Sequence, residues 1–241
     1  MNTTGNWFIR DREIQPPAYH PEYKSTVLRA PLKAPLSLQQ TLSEMTGPIF
    51  GQSDIDPLDD DMLRNAVVDR EPIGSRTIVH GHVLDQNGRP VKNTLLEVWQ
   101  ANAGGRYRHV NDNTIAEIDP NFTGFGRCMT DENGYYRFRT VKPGPYPWRN
   151  SANEWRPAHI HFSLFGPAFV TRLITQMYFE GDPLLPYCPI VSAIPDEGAK
   201  ERLVAKLDLG ETIPMDSIAY RFDIVLRGQR STPFENRMEG N

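Results

Sequence analysis

The sequence predicts an all-β fold, an antiparallel β-sandwich with an extended N-terminal arm and one or two short helices. Two observations point there. The 241 residues include 21 Pro and 18 Gly, which break the chain into short segments. Between the breaks lie apolar runs of strand length, many alternating with a period of two. With 39% apolar residues the chain can bury a full core, and a sandwich of this length can be one domain.

Residues 1–70 differ from the rest. Pro16, Pro17, Pro21, Pro31 and Pro35 interrupt the first part, and Ser37-Leu38-Gln39-Gln40 reads as a short helix start. Asp59, Asp60 and Asp61 read as a solvated acidic turn. This stretch has too little apolar periodicity to fold alone. It is read as an arm packing on its own domain or on a neighbouring chain.

Residues 71–241 are read as the catalytic sandwich. Thr77 to Leu84 alternates and ends at Asn87-Gly88, a hairpin signal. Leu95 to Trp99 follows as a strand. Cys128–Thr130 and Tyr135–Val141 flank Asp131-Glu132-Asn133-Gly134 as a second hairpin. Ala158–Phe165 and Leu173–Phe179 form a third pair, and Ala219–Leu226 is a late strand. Glu197 to Leu207 has helical spacing, with Leu203, Val204 and Leu207 on one face.

Composition excludes some functions. A net charge of −4 without a basic stripe makes nucleic acid a poor partner. Cys128 and Cys188 are the two cysteines, neither in a CxxC pair, so no zinc cage or disulfide framework is expected. Met1 to Tyr23 holds no apolar run long enough for a signal peptide or membrane span, and a reducing cytoplasm is the simplest location.

The chemistry concentrates in Arg156-Pro157-Ala158-His159-Ile160-His161-Phe162. On a strand, residues i and i+2 share a face, so His159 and His161 can reach one metal ion while Ile160 and Phe162 turn to the core. Spacing alone does not decide, because His80-Gly81-His82 repeats it with no tyrosine or carboxylate in its neighbourhood except Asp85. The second pair keeps different company. Between Gly134 and Glu180 the only acidic residue is Glu154, so two histidines and a carboxylate do not form an obvious facial triad. Tyr146 instead stands in the stiff loop Pro143-Gly144-Pro145-Tyr146-Pro147-Trp148, and Tyr107 in the glycine-rich Gly104-Gly105-Arg106-Tyr107-Arg108. Phenolate is a hard anionic donor that suits Fe(III), which deprotonates tyrosine as other metals acidify bound water. Tyr107, Tyr146, His159 and His161 are the candidate iron ligands.

Four runs, Leu96-Glu97-Val98-Trp99-Gln100-Ala101-Asn102, Thr130 to Tyr136, Lys142 to Pro147 and Arg156 to Phe162, occur in an order that resembles the intradiol ring-cleavage dioxygenases. The likeness spans nearly the whole chain. Arg172 to Asp182, with Gln176-Met177-Tyr178-Phe179, is similar to the branch acting on protocatechuate. The resemblance implies an Fe(III) enzyme that opens an aromatic diol with O2, giving 3-carboxy-cis,cis-muconate from protocatechuate. It implies that Tyr107 is the phenolate displaced by the substrate and Tyr146 the one that stays. Arg156 would be a fixed cation beside the diol, with Gln176 and Tyr178 behind it, and Tyr23, Trp148 and Ile190 would line the pocket. It also implies a homologous α chain as partner. Two other readings stay open at this level: a transthyretin-like binding sandwich without catalytic metal, and a zinc hydrolase using the histidine pair.

Overall fold

The computed structural model describes residues 14–30, 55–151, 154–166 and 173–233. The helix start read at Ser37–Gln40 lies outside the described residues.

Among the described residues, eleven strands carry the fold: β1 (Arg76–Leu84), β2 (Leu95–Trp99), β3 (Phe125–Met129), β4 (Tyr135–Val141), β5 (Tyr146–Pro147), β6 (Trp155–Arg156), β7 (His159–Phe165), β8 (Leu173–Phe179), β9 (Val204–Ile213), β10 (Ser217–Arg221) and β11 (Ile224–Val225). Three short α-helices accompany them there: α1 (Lys24–Arg29), α2 (Pro189–Ser192) and α3 (Glu197–Glu201). Nine strands join in one sheet, ordered β11-β1-β10-β9-β8-β7-β2-β3 with β4 on the other side of β1. The sheet folds back on itself. Tyr136 and Phe138 of β4, and Phe222 after β10, meet Phe162 of β7 with ring centroids 6.1, 5.9 and 5.3 Å apart. Alternating residues of both halves thus fill one core, as a sandwich requires. Most pairings are antiparallel as expected, but β1 runs parallel to β10 and β11, and β8 parallel to β9.

The turns were legible, the pairing less so. Asp85 N–H donates to the Arg89 carbonyl at Asn87-Gly88, yet the return is a single Leu84–Pro90 bridge. Asp131 likewise closes on Tyr135, but β3 pairs with β2 and β4 with β1. The expected second hairpin is therefore a connection between layers. A tight turn sets chain reversal but not the sheet each arm joins. The pair β7–β8 stands as read, with His159 opposite Tyr178 and His161 opposite Gln176.

Two further expectations are corrected. The helix begun at Glu197, capped by the Asp196 carboxylate accepting from Ala199 N–H, ends at Glu201. Val204 to Leu207 is strand, because β-branched Val204 pairs with Tyr178 along β8 and tertiary pairing overrides the helical spacing. Leu203 is buried and Leu207 is exposed, so they do not share an apolar face.

The Asp59–Asp61 segment is the acidic turn expected, with Asp60 exposed, and it also forms a strap across the sandwich. The carbonyl of Asp59 accepts from Arg127 N–H of β3, and that of Asp60 from Arg139 N–H of β4. The Asp61 carboxylate meets the Arg139 guanidinium at 3.1 Å. The strap covers two open strand edges and drops Met62 and Leu63 into the core. Met62→Ala is expected to cost about 2–5 kcal/mol in urea unfolding, since Met62 is fully buried; a loss under about 1 kcal/mol would show that the strap is dispensable.

Candidate active site

Each candidate donor is placed by a different local device. On β7 the expected alternation holds: Ile160 and Phe162 lie in the core, and His159 and His161 take the other face with rings 4.9 Å apart. The His159 Nδ1 lies 2.7 Å from the Pro157 carbonyl oxygen, which can only accept, so Nδ1 carries the proton. Nε2 is left with its lone pair free to ligate, the arrangement in which a histidine binds a metal. Burial, then Arg156 and His161, hold the His159 proton affinity well below the ordinary histidine value, so the imidazole is neutral.

Tyr107 follows β2 in a loop knitted by Asn102. The Asn102 Oδ1 accepts from Gly104 and Arg106 N–H at 2.9 and 3.0 Å, and its Nδ2 donates to the Glu117 carbonyl. Tyr107 N–H itself donates to Asp112 Oδ2 at 2.7 Å. Tyr146 lies on β5, which pairs with β6 so that Tyr146 stands opposite Arg156. The two tyrosine loops touch. Gly144 N–H donates to the Asn102 carbonyl, and Gly105, at φ +82°, leaves no room for a Cβ against the Pro145 carbonyl oxygen.

Both phenols converge on one nitrogen. The Tyr107 and Tyr146 hydroxyls each stand 3.4 Å from His159 Nε2, and the two phenol rings meet edge-on at 5.6 Å. A separation of 3.4 Å is long for a hydroxyl hydrogen bond. It is close to the spacing of donors that share one ion through bonds of about 2 Å. No group of three or more His, Cys, Asp and Glu side chains gathers at a metal-binding spacing among the described residues. The donor set is two imidazoles and two phenols, which fits a hard, highly charged ion better than zinc.

Arg156 lies beside these donors and is nearly fully buried. Its Nη2 donates to Gln176 Oε1 and, at 3.2 Å, to the Tyr178 hydroxyl, which in turn donates to Gln176 Oε1 at 2.9 Å. The guanidinium sits 5.4 Å above the Trp148 ring. Burial works against the charge, but Tyr178, Cys188, Tyr146 and Tyr107 outweigh it and keep the group protonated above the ordinary arginine value. Arg156 Nε and Gln176 Nε2 are buried donors without an acceptor. Such groups are costly unless something supplies an oxygen.

The remaining expected residues lie alongside. Tyr23, Tyr178 and Ile190 belong to a second apolar cluster, and Trp148 packs against it with its ring 5.2 Å from Tyr23. Residues 14–30 dock on their own chain here: Asn150 Nδ2 donates to the Glu22 carbonyl, and Lys24 N–H to Asn150 Oδ1. All ten expected site residues thus fall in one contiguous region.

His80 and His82 do not join it. The expectation that they lack acidic and phenolic neighbours is overturned: His80 Nε2 lies 3.3 Å from Asp208, His82 Nδ1 3.6 Å from Asp223, and the Tyr135 ring stands by both. These neighbours come from β4 and β9 and from beyond β10, so they are distant in sequence. Residue order also pointed to no role for Asn102, which organises the Tyr107 loop, or for Trp99, whose ring lies against His161. The only signal was their place in the Leu96–Asn102 run.

A mixed β-sandwich that gathers two imidazoles and two phenols beside a buried guanidinium is the frame of a non-haem metal-dependent oxygenase. The chain belongs to the intradiol dioxygenase family. The dioxygenase family model matches residues 45–228, and that described as protocatechuate 3,4-dioxygenase beta subunit N terminal matches residues 8–41. The chain is 53% identical over 226 residues to a protocatechuate 3,4-dioxygenase beta chain from Burkholderia cepacia, covering 94% of this chain and 96% of that one. It is 31% identical to a protocatechuate 3,4-dioxygenase alpha chain from Pseudomonas putida, over 82% of this chain and 96% of that one. Among solved structures it resembles 3-chlorocatechol 1,2-dioxygenase from Rhodococcus opacus, with a TM-score of 0.54, 25% identity, and coverage of 84% of this chain and 76% of that one. Among the described residues no helix is long and apolar enough to cross a membrane.

Proposed function

We propose that this chain is the iron-bearing subunit of an enzyme that cleaves protocatechuate between its hydroxyl-bearing carbons. Both atoms of O2 enter the product, 3-carboxy-cis,cis-muconate. The observation that carries the reading is the convergence of the Tyr107 and Tyr146 hydroxyls on the lone pair of His159 Nε2. Tyr107, Tyr146, His159 and His161 would hold Fe(III), and this donor set fits it. When bound there, ferric iron supplies Lewis acidity, which favours the catecholate form of the substrate and its reaction with O2.

The residues do the rest. With the metal held there, one of the two phenolate oxygens would serve as base and take up a proton from a substrate hydroxyl. Distance does not rank the two phenols, but anchoring does: Asp112 and Asn102 pin the Tyr107 loop, whereas Tyr146 stands on a two-residue strand. We therefore assign the proton-accepting role to Tyr146, while Tyr107 would remain a metal donor, the reverse of what the resemblance implied. Arg156 offers Nε to a substrate oxygen and stabilises negative charge spread into the ring, because it cannot deprotonate. Gln176 and Tyr178 fix the guanidinium, and Gln176 Nε2 is a second donor. Tyr23, Trp148 and Ile190 wall the ring and exclude water.

The division into an arm, residues 1–70, and a catalytic domain, residues 71–241, belongs to the same proposal, as does pairing with a homologous α chain. Relatives named as both chains support the pairing. Cys128 and Cys188 as free buried thiols are compatible with the cytoplasm.

The test is colour. The iron-loaded protein is expected to be wine-red from phenolate-to-iron charge transfer, and a colourless, iron-replete sample would sink the reading. Tyr107→Phe and Tyr146→Phe should each change that band. With protocatechuate bound, Tyr146→Phe should match the wild-type complex and Tyr107→Phe should not; the opposite result restores the first assignment.

A further inference from the structure

The two histidines are held by different devices. His159 is oriented by its hydrogen bond to Pro157 and is buried. His161 is only partly buried, and its ring lies flat on the indole of Trp99, with centroids 4.8 Å apart and planes 4° from parallel. Trp99 is its direct cross-strand partner in the β2–β7 ladder, so backbone register delivers the indole under the imidazole. A near-parallel stack restricts rotation about the outer side-chain torsion, which sets where the ring nitrogens point. His161 also borders Tyr107 at 6.2 Å and His159 at 4.9 Å, so a rotated ring would displace its nitrogens relative to both.

We propose that Trp99 is a positioning residue that fixes the imidazole plane of His161 for metal binding. It touches none of the reacting atoms and acts through His161. The inference rests on the ferric reading above.

The test compares wild type with Trp99→Phe, which keeps an aromatic face, and with Trp99→Leu and Trp99→Met, which do not. Each is loaded with Fe(III), and the visible band and its decay into a chelator are followed. Thermal unfolding of the same samples reports folding. Trp99→Leu and Trp99→Met are expected to shift the band and release iron about tenfold faster or more, and Trp99→Phe to restore most of both. NMR of the metal-free proteins should show the His161 ring protons losing their upfield indole shift in the aliphatic variants. Should Trp99→Leu not fold, Trp99→Met carries the comparison. Wild-type band and release rate in a folded aliphatic variant would overturn the inference. Equal failure of Trp99→Phe and Trp99→Met would overturn it too, since that is the signature of lost bulk. A wild-type protein with no band would overturn the ferric reading and this inference with it; an unchanged variant band would overturn this inference alone.

Discussion

Arg156→Leu is expected to lower kcat/KM for protocatechuate by about 10²–10³-fold while leaving the visible band nearly intact. The guanidinium is the buried cation beside the donor set, and its Nε has no acceptor in the protein. Its charge therefore bears on what binds rather than on the fold around it. Leucine matches the apolar part of the space, so the structural cost falls on the Trp148 ring, which loses its cation, and on Gln176 Oε1 and the Tyr178 hydroxyl, which lose a donor, about 1–3 kcal/mol. Arg156→Lys should recover only part of the activity, because a point charge cannot hold Gln176 and Tyr178 while offering Nε to substrate. Steady-state kinetics beside visible spectra decide the matter. If the Arg156→Leu enzyme turns over normally, or loses its colour, Arg156 is not the cation that stabilises charge on the substrate ring.

The second large effect is expected at Gly105. Gly105→Ala must place a Cβ at φ +82° and against the Pro145 carbonyl oxygen. Left-handed backbone costs a non-glycine residue about 1–2 kcal/mol, and forced overpacking adds about 1–3 kcal/mol. Because Gly105 lies where the Tyr107 and Tyr146 loops touch, relief of the clash must push these loops apart. The expected outcome is a loss of about 2–5 kcal/mol of stability from those two terms, with iron retention falling further than stability alone explains. Gly88→Ala is the control, since Gly88 also has positive φ, +76°, but meets nothing within 4 Å. It should cost only the backbone term and leave the colour alone. If Gly105→Ala behaves like Gly88→Ala, the two loops are not coupled through this contact.

Several features were legible from residue order because their causes are local. Alternation on Ala158–Phe165 placed His159 and His161 on one face and Ile160 and Phe162 in the core. Glycine and asparagine at Asn87-Gly88 and Asn133-Gly134 marked real reversals, each with its glycine at positive φ. Prolines around Tyr146 flank a segment that the structure pairs with Trp155–Arg156. What failed depended on partners far away in sequence. The strands flanking Asp131–Gly134 went to different layers, and Val204 left its helical pattern to pair with β8. The acidic run at Asp59–Asp61 is a turn with Asp60 exposed, as read, but residue order did not show that its backbone would meet Arg127 and Arg139 of two unjoined edges. The environment of His80 and His82 was misjudged for the same reason, as Asp208 and Asp223 lie more than a hundred residues away.

The iron-ligand candidates divide along this line. Residue order alone was enough to single out a same-face histidine pair and two tyrosines in constrained loops, and to suggest a ferric donor set, because strand alternation and metal–donor preference act on neighbouring residues and on residue type. Three-dimensional packing was needed to bring Tyr107, 52 residues from His159, to the same nitrogen as Tyr146. It also leaves His159 Nε2 unprotonated through a carbonyl two residues away and lays Trp99 beneath His161. The contacts of Tyr107 and Trp99 arise from loop closure and strand register, which long-range burial selects and which no local pattern encodes.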